Sequence, residues 1–531
     1  MEQLSRRLLP GTLLMLSMNA IIGSGWLLAP LYAARIAGPA AIFSWIIGGF
    51  AVVLIAFTFA EISAMFPVAG GTARIPQLSH GALVGFVLSW MAWLSSLMMA
   101  PVEVQAVLQY ASLFFPSLIH TVGVAHLLTL WGYIWATILM LILCTLNIIS
   151  FRALTHSNFI LFVFKVSVVI LTAIVIMNAR FNSQNFSGMI ETTLSLEGWQ
   201  TILAAIATSG IAFAFNGFKN SVELAGEAKK LAIAIPLSTA GSVIACLFIY
   251  IALQVCFIGA LDSASLRGGW QHLNFAGDVG PFAGLAAAIG LVWLVKVLYF
   301  SAVISPAGAG LTYVTATARI LYAMSKIGYV PKFLSRLSRH HLPVRAIMAN
   351  FIIGMLSFLP LPGWQAMVNF LVSVLVITYA MGPISLMSLR LSMPDIKRPF
   401  RLPAANLLCF LAFYFCNLFS YWTGWETMSK LAIALFIGFI FFGISYFRGT
   451  IKVDSKSLES GFWMLPYLLG LVIISYLGSF GGLNIIPFGW DFLVIALFTF
   501  GILYLAIRGR LALSSTEMNH YIGTEMVNTI V

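Results

Sequence analysis

Two short stretches of the sequence interrupt long apolar runs with glycine and polar residues. The first covers residues 22–26 (Ile-Gly-Ser-Gly-Trp), and the second covers residues 215–218 (Phe-Asn-Gly-Phe). A helix that breaks inside an apolar run exposes carbonyls at the end of its first half and N–H groups at the start of its second half. These groups form a cation site and an anion site a few ångströms apart. The alternative is that the small residues only allow close helix packing.

Two ionisable residues also lie inside apolar runs. Lys165 lies in the middle of the run from Phe159 to Met177, and Glu103 lies late in another. A lysine at the centre of a membrane span costs about 3 kcal/mol on insertion scales, so such residues are functional candidates by default. The alternatives are that Lys165 extends its amine to the membrane surface, and that Glu103 approaches the outer interface or pairs with Lys296.

The composition indicates which elements hold these residues. Hydrophobic residues make up 61% of the 531 positions and charged residues only 8%, whereas soluble domains carry about a quarter charged residues. A soluble enzyme is therefore excluded, and apolar stretches of about twenty residues predict membrane-spanning helices. The sequence predicts an all-α polytopic protein with about fourteen spans. Their bounds are about 11–36, 40–65, 83–113, 127–149, 158–178, 200–225, 236–260, 283–324, 346–361, 365–390, 404–425, 430–448, 462–480 and 488–508. The eighth is too long for one crossing and is expected to divide into an outer segment, a span and a cytoplasmic extension.

The positions of the basic residues predict the topology. The net charge is +12, and twenty of the 28 Lys and Arg residues would lie on one side, among them Arg6, Arg7 and those of the loops 326–345 and 390–401. The other side carries few basic residues, namely Arg35, Arg180, Arg267 and Lys430. Because basic loops remain in the cytoplasm, both termini are expected there. The charge is then explained by topology, and no nucleic-acid partner is expected.

The two interruptions fall in spans one and six, which are corresponding members of two successive five-span units. Discontinuous helices at matching positions indicate a transporter built on an inverted repeat. We therefore predict a core over residues 1–390 with repeats at about 11–178 and 200–390. The remaining predicted units are spans eleven and twelve (391–448), an additional two-span hairpin (449–508) and a cytoplasmic tail (509–531).

Five motifs in this order resemble those of the amino acid, polyamine and organocation (APC) superfamily, in particular its proton-coupled amino acid permeases. The resemblance covers about Leu8 to Arg448. Its motifs are Gly-Ser-Gly at 23–25, Phe-Pro-Val-Ala-Gly-Gly at 66–71, Gly-Phe to Glu-Leu-Ala-Gly-Glu-Ala-Lys at 217–229, Ala-Arg-Ile-Leu-Tyr-Ala-Met with a later Gly and Pro at 318–331, and 379–403. The resemblance implies a LeuT-type 5+5 fold with substrate at the breaks of spans one and six, and aspartate-type proton symporters as candidate close matches.

An amino acid zwitterion matches the anion and cation sites that the two breaks would form. The expected ligands of its α-carboxylate are the amides around Ser24, Gly25 and Trp26. The expected ligands of its α-ammonium are the carbonyls near Ile21, Ile22 and Phe213, and Gly23, Asn216 and Gly217 complete the predicted substrate site. The resemblance also places an aromatic gate at Phe213. The alternative is an ordinary packed or lipid-facing phenylalanine.

Proton-coupled relatives carry a lysine in span five, which implies that Lys165 couples a proton to substrate by bracing the Gly23 region. Ser305 and Thr312 share a face of span eight and are expected to meet this lysine. Glu103 is the second candidate for proton coupling.

Lys219 stands where many family members carry an acidic residue. A lysine here disfavours a cationic substrate and fits an acidic or neutral amino acid. The alternative is that Lys219 only faces the cytoplasmic vestibule.

The sequence does not indicate a metal site or a nucleotide-binding site. The eight histidines show no metal spacing, and no glycine-rich loop precedes a lysine and a serine or threonine. We therefore expect no cofactor, no metal and no catalytic residue. The predicted function is secondary active transport, as proton-coupled uptake of an acidic or neutral amino acid across a bacterial plasma membrane. Exchange, a transporter-like receptor and a membrane enzyme remain alternatives, and the exact substrate, direction and oligomeric state stay open.

Overall fold

The computed structural model describes residues 8–67, 71–122, 125–149, 151–273, 280–338, 342–451 and 455–511. Within these ranges, the side chains of 71–74, 78, 149 and 151–158 are not described. Arg6, Arg7, part of the 66–71 motif, part of the basic loop 326–345 and most of the 509–531 tail lie outside the described residues.

Helices make up most of the described chain. They are α1 (Pro10–Ile21), α2 (Gly25–Ala37), α3 (Ala41–Met65), α4 (Gly71–Ala111), α5 (Leu130–Ile149), α6 (Phe151–Ala179), α7 (Met189–Leu194), α8 (Leu196–Thr208), α9 (Ile211–Ala214), α10 (Lys219–Glu223), α11 (Leu231–Pro236), α12 (Ser242–Ala260), α13 (Pro281–Ala288), α14 (Val292–Ile327), α15 (Val344–Leu356), α16 (Gly363–Ser392), α17 (Ala405–Trp422), α18 (Trp425–Phe447), α19 (Ser455–Glu459), α20 (Met464–Leu477) and α21 (Trp490–Arg508). A π-helical turn (Leu237–Gly241) joins α11 to α12.

Two helices form the centre of the molecule. Nearly all of α16 and of the second part of α4 is buried, and α16 packs against α3, α4 and α17. Both helices carry polar residues that must be kept from lipid, such as Glu103 and Ser385, whereas the faces that α5 and α18 expose are apolar, as contact with lipid requires. Both buried helices pack against the second broken helix, α16 against α8 and α9, and α4 against α10.

The predicted number of fourteen spans is not confirmed. Eleven helices in the described ranges are long and apolar enough to cross a membrane, or twelve if the bent pair α8 and α9–α10 is one span. The difference arises because α1 and α15 are shorter than a full crossing and because α2 and α3 together form one apolar stretch, Gly25–Met65. The long eighth segment divides into α13 and α14, and α14 ends at Ile327, next to the Gly328 at which the extension was expected to end.

A small antiparallel β-hairpin precedes α5 and was not predicted. Its strands are β1 (Ile119–Val122) and β2 (Ala125–Leu128), and Ile119 pairs with Leu128. The expected fourth span at 127–149 begins instead at Leu130. Each strand has only four residues, and neither Ile-His-Thr-Val nor Ala-His-Leu-Leu alternates apolar with polar residues, so the sequence shows no period-two pattern here.

The segment from α19 to α21, residues 455–508, is called the C-terminal hairpin below. Its helices pack against α16, α17 and α18, and α19 packs against α4. The hairpin is therefore joined to the core along one side and is not a separate unit.

Candidate substrate site

The first break lies where the sequence predicted it, between α1 and α2. Ile22 leaves the helix with φ −82° and ψ 82°, and α2 begins at Gly25. Both glycines of the motif allow close contacts. A Cβ on Gly23 would lie 2.6 Å from Glu103 Oε1, and a Cβ on Gly25 would lie 2.9 Å from Ala214 Cβ. The helix break and the close packing are thus both present at this site.

The second broken helix has two interruptions instead of one. Residues 215–218 are unwound as expected, and Gly217 has a φ of 139°. An additional break at Ser209 and Gly210 separates α8 from α9 and bends the span by 41°. Gly210 has a φ of 97°, a conformation that glycine adopts without strain. The Ser-Gly pair was the available signal for this break.

The two breaks contact each other. A Cβ on Gly217 would lie 2.6 Å from the Ile21 backbone nitrogen. The Tyr250 hydroxyl lies 3.1 Å from the Ile21 carbonyl oxygen and 3.2 Å from the Ala214 carbonyl oxygen. Tyr250 therefore joins the carbonyl ends of both broken helices, a role that its place in an unbroken apolar run does not indicate.

Glu103 accepts hydrogen bonds from the amide at the first break. The Ser24 N–H donates to Glu103 Oε2 at 3.1 Å, with Oε1 at 3.4 Å. Glu103 is 1% exposed, so it neither approaches an outer interface nor pairs with Lys296. The amides at the start of α2, including those of Gly25 and Trp26, lack partners within their own helix because they belong to its first turn. The Trp26 indole N–H is buried and has no partner among the described residues.

Lys165 occupies the carbonyl side of the same break. Its Nζ donates to the Asn19 carbonyl oxygen at 3.2 Å, and the side chain is 1% exposed. This burial is inconsistent with a lysine that extends to the membrane surface. Lys165 and Glu103 interact electrostatically across the first span without forming a direct ion pair.

The expected contact between Lys165 and the hydroxyls of span eight is not present. Ser305 Oγ lies 3.4 Å from Ser301 Oγ, and Thr312 is exposed and donates to the Gly308 carbonyl oxygen. Both hydroxyls therefore bond within α14. Gly308 is the residue of α14 that approaches Lys165, since a Cβ there would lie 3.8 Å from Nζ.

An aromatic layer covers the breaks on their predicted outer side. The rings of Phe213 and Trp364 meet edge to face at 5.8 Å, and Trp364 stacks on Tyr32 at 5.5 Å. The Trp364 indole N–H donates to Ser24 Oγ at 3.2 Å. Beyond the layer, a cavity of about 300 Å³ extends to Glu426. Trp364 was missed by sequence analysis because it contacts Ser24 only through the fold.

On the predicted inner side, a second polar group surrounds Asn216. Its Oδ1 accepts from the Tyr379 hydroxyl at 3.1 Å, and its Nδ2 donates to Met99 Sδ at 3.3 Å. The Lys219 Nζ lies 5.1 Å from the centroid of the Tyr379 ring, within the range of a cation–π contact. Lys219 is thus linked to the second break through Tyr379.

The inner ends of the broken helices are in contact. Ser17 Oγ of α1 and Ser221 Oγ of α10 form a hydrogen bond and are fully buried. The aromatic layer lies on the predicted outer side of Ser24 and this contact on the predicted inner side, so both approaches to Ser24 are closed. In the described ranges no three His, Cys, Asp or Glu side chains come together as a metal site requires.

Residues 11–442 match the family model described as amino acid permease. The chain belongs to the amino acid permease family. The permease is 37% identical over 503 residues to the glutamate/serine transporter AimA of Bacillus subtilis (strain 168), covering 94% of this chain and 92% of that relative. It is 33% identical over 499 residues to the aspartate-proton symporter of the same organism, covering 93% and 94%.

A solved mutant of the manganese transporter of Eremococcus coleocola superposes on the permease with a TM-score of 0.53 and 12% identity over 94% of this chain and 95% of that chain. At this identity the likeness shows the fold alone, which is the LeuT type expected from the sequence. The permease is therefore a multi-pass membrane transporter and not an enzyme.

Proposed function

We propose that this permease takes up an acidic or neutral amino acid together with a proton by alternating access. The observation that carries the proposal is the hydrogen bond from the Ser24 amide to the Glu103 carboxylate. Amides at the start of a helix bind carboxylates, and the α-carboxylate of an amino acid has the same chemistry. The break in the first span is therefore suited to the substrate's carboxylate, and Glu103 competes for the same amide.

This competition provides a route for proton coupling. A protonated Glu103 is a weaker acceptor than its carboxylate and releases Ser24 more readily. Proton binding and substrate binding then favour each other, as linkage requires. The charged and titratable groups that interact electrostatically with Glu103 include Lys165, Tyr250 and Tyr313.

Lys165 holds the other side of the same break. Its ammonium binds the Asn19 carbonyl, which lies one turn before Gly23. When Lys165 loses its proton this bond loses its charge, and the inner half of the first span becomes free to move. Glu103 and Lys165 together would connect the protonation state to the geometry of the break.

Lys219 is the candidate for substrate specificity. Its ammonium is linked to the second break through Tyr379 and Asn216, and a positive charge there favours an anionic or neutral side chain over a cationic one. The names of the two relatives, a glutamate/serine transporter and an aspartate-proton symporter, agree with this preference.

The proposed location is a bacterial plasma membrane with both termini in the cytoplasm. The support is the concentration of basic residues in loops on one side and the bacterial origin of the relatives. In this orientation Phe213 and Trp364 face outward, and Ser17 and Ser221 face inward.

The test is uptake into liposomes that contain the purified permease. Labelled glutamate, aspartate, serine and arginine are offered with and without an inward proton gradient, to the wild type and to Glu103→Gln and Lys165→Ala. The matched controls are Asp262→Asn and Arg180→Ala, which alter a partly exposed ion pair. We expect gradient-driven uptake of acidic or neutral substrates that only the two buried variants abolish. Exchange without gradient-driven uptake would replace symport by antiport, and binding without flux would indicate a receptor.

A further inference from the structure

His80 is a fully buried residue with no part in the proposed substrate path. It lies near the predicted inner end of α4, where Gly81 with a φ of 76° bends the chain. The imidazole ring lies between α16, the C-terminal hairpin and its own helix, and it meets the Trp463 ring edge to face at 5.3 Å.

Both ring nitrogens of His80 are hydrogen-bonded. Nε2 lies 3.0 Å from the Ala506 carbonyl oxygen of α21. Because a carbonyl can only accept, Nε2 carries the hydrogen and donates. Nδ1 therefore accepts from Ser79 Oγ at 2.8 Å. Ser388 Oγ of α16 lies 3.3 Å from Nε2 and accepts a share of the same hydrogen, so one ring contacts both α16 and the hairpin.

Two serine side chains of the hairpin also bind the backbone next to the His80 ring. Ser460 Oγ donates to the His80 carbonyl oxygen at 2.7 Å, and the Ala82 N–H donates to Ser457 Oγ at 2.7 Å. The hairpin thus bonds to the backbone at His80 and just after it. These three contacts connect segments that are more than 370 residues apart in sequence.

The inner end of α16 is also fixed on its opposite side. Arg390 Nε donates to Glu61 Oε1 at 2.9 Å, and Arg390 Nη2 donates to Glu61 Oε2 at 2.5 Å. Glu61 belongs to α3 and is fully buried. The end of α16 is therefore held between α3 and the C-terminal hairpin. Tyr379 of the same helix contacts Phe218 and Lys219 at the start of α10.

We infer that His80 is a positioning residue that anchors the inner end of α16 to the C-terminal hairpin and so keeps the inner side of the path closed. This gives the hairpin a role in the transport cycle. The inference rests on the alternating access proposed above, although its test requires neither a known substrate nor a proton gradient.

The test compares two replacements of His80, by Gln and by Asn, whose side chains differ in length. Gln places an amide nitrogen at the position of Nε2 and can still donate to Ala506. Asn ends at the position of Nδ1 and keeps only the Ser79 contact. Each is combined with Ser221→Cys, whose thiol lies at the inner contact between α1 and α10, and labelling by a membrane-impermeant maleimide is followed in inside-out vesicles. All five native cysteines are buried, and the parent without Ser221→Cys gives their background.

We expect His80→Asn to accelerate labelling about five- to thirtyfold, the factor that corresponds to one buried hydrogen bond, and His80→Gln to label near the parent rate. An Asn variant that labels at the parent rate would overturn the inference. Equal acceleration in both variants would also overturn it, because the ring's volume rather than its link to Ala506 would then matter.

If His80→Asn cannot be recovered as folded protein, Ser460→Ala provides the second variant, since it removes only the hydroxyl that binds the His80 carbonyl. Faster labelling of Cys at position 221 is again expected, and an unchanged rate would contradict the inference that the contact between His80 and the hairpin keeps the inner side closed. A permease that fails to couple protons but shows the expected labelling would refute the proposed function alone.

Discussion

Replacing Glu103 by Gln tests whether this side chain competes with substrate for the Ser24 amide. The change keeps the shape of the side chain and its acceptor oxygen but removes the charge. A hydrogen bond to a charged group contributes about 1.5–3 kcal/mol and a neutral one about 0.5–1.5 kcal/mol. The Ser24 contact should thus weaken by about 1 kcal/mol, and the substrate should bind about fivefold more tightly when Glu103 would otherwise be ionised.

The pH dependence gives the sign of the effect. In the wild type, protonation of Glu103 releases Ser24, so affinity should rise as pH falls. In Glu103→Gln no proton is taken up there, and affinity should stay at the level that the wild type reaches at low pH.

The assay is equilibrium binding of labelled serine to purified protein between about pH 5 and pH 8. Serine is suitable because its side chain does not titrate. A Glu103→Gln variant that retains the wild-type pH dependence, or that binds more weakly at every pH, would refute the competition.

Four further variants test the remaining parts of the site. Lys165→Ala should abolish gradient-driven accumulation in liposomes but retain substrate exchange, and intact accumulation would contradict its coupling role. Phe213→Ala should raise the KM for uptake about tenfold through loss of the aromatic cover, whereas unchanged kinetics would reduce Phe213 to a packing residue. Trp364→Phe keeps the stacking ring but loses the hydrogen bond to Ser24, and we expect a KM about fivefold higher with no change in the amount of folded protein. Lys219→Met should weaken aspartate binding about tenfold relative to serine, measured by competition, and a uniform loss for both substrates would argue against a specificity role.

The parts of the fold that local sequence determines were predictable. The Gly-Ser-Gly motif at 23–25 indicated the first break, and the length of the segment 283–324 indicated its division into α13 and α14. Both depend on residues that are neighbours along the chain. The site around Lys165 was predictable in part, because a lysine in an apolar run must find a buried partner, although nothing local identifies that partner as the Asn19 carbonyl.

Contacts between distant segments were not predictable from one sequence. Trp364 meets Ser24 across 340 positions, and His80 meets Ala506 across 426. Neither pair leaves a periodic pattern, since each residue fits its own helix equally well without the other. The same applies to Glu103, for which the sequence left a place in the pathway and one near the outer interface open and did not indicate that its carboxylate would occupy the amide expected for substrate.

The single hydroxyl of Tyr250 has a consequence for the molecules that this permease can accept. Its one hydrogen can serve the carbonyl of Ile21 or that of Ala214, and the other carbonyl then keeps a lone pair that can accept from another donor. An α-ammonium supplies such a donor, whereas the corresponding α-keto acid supplies none. The two carbonyls that share the Tyr250 hydroxyl would thus favour an amino acid, whose ammonium can donate, over its deaminated product, which has no N–H group. We therefore expect α-keto acids to compete poorly for uptake.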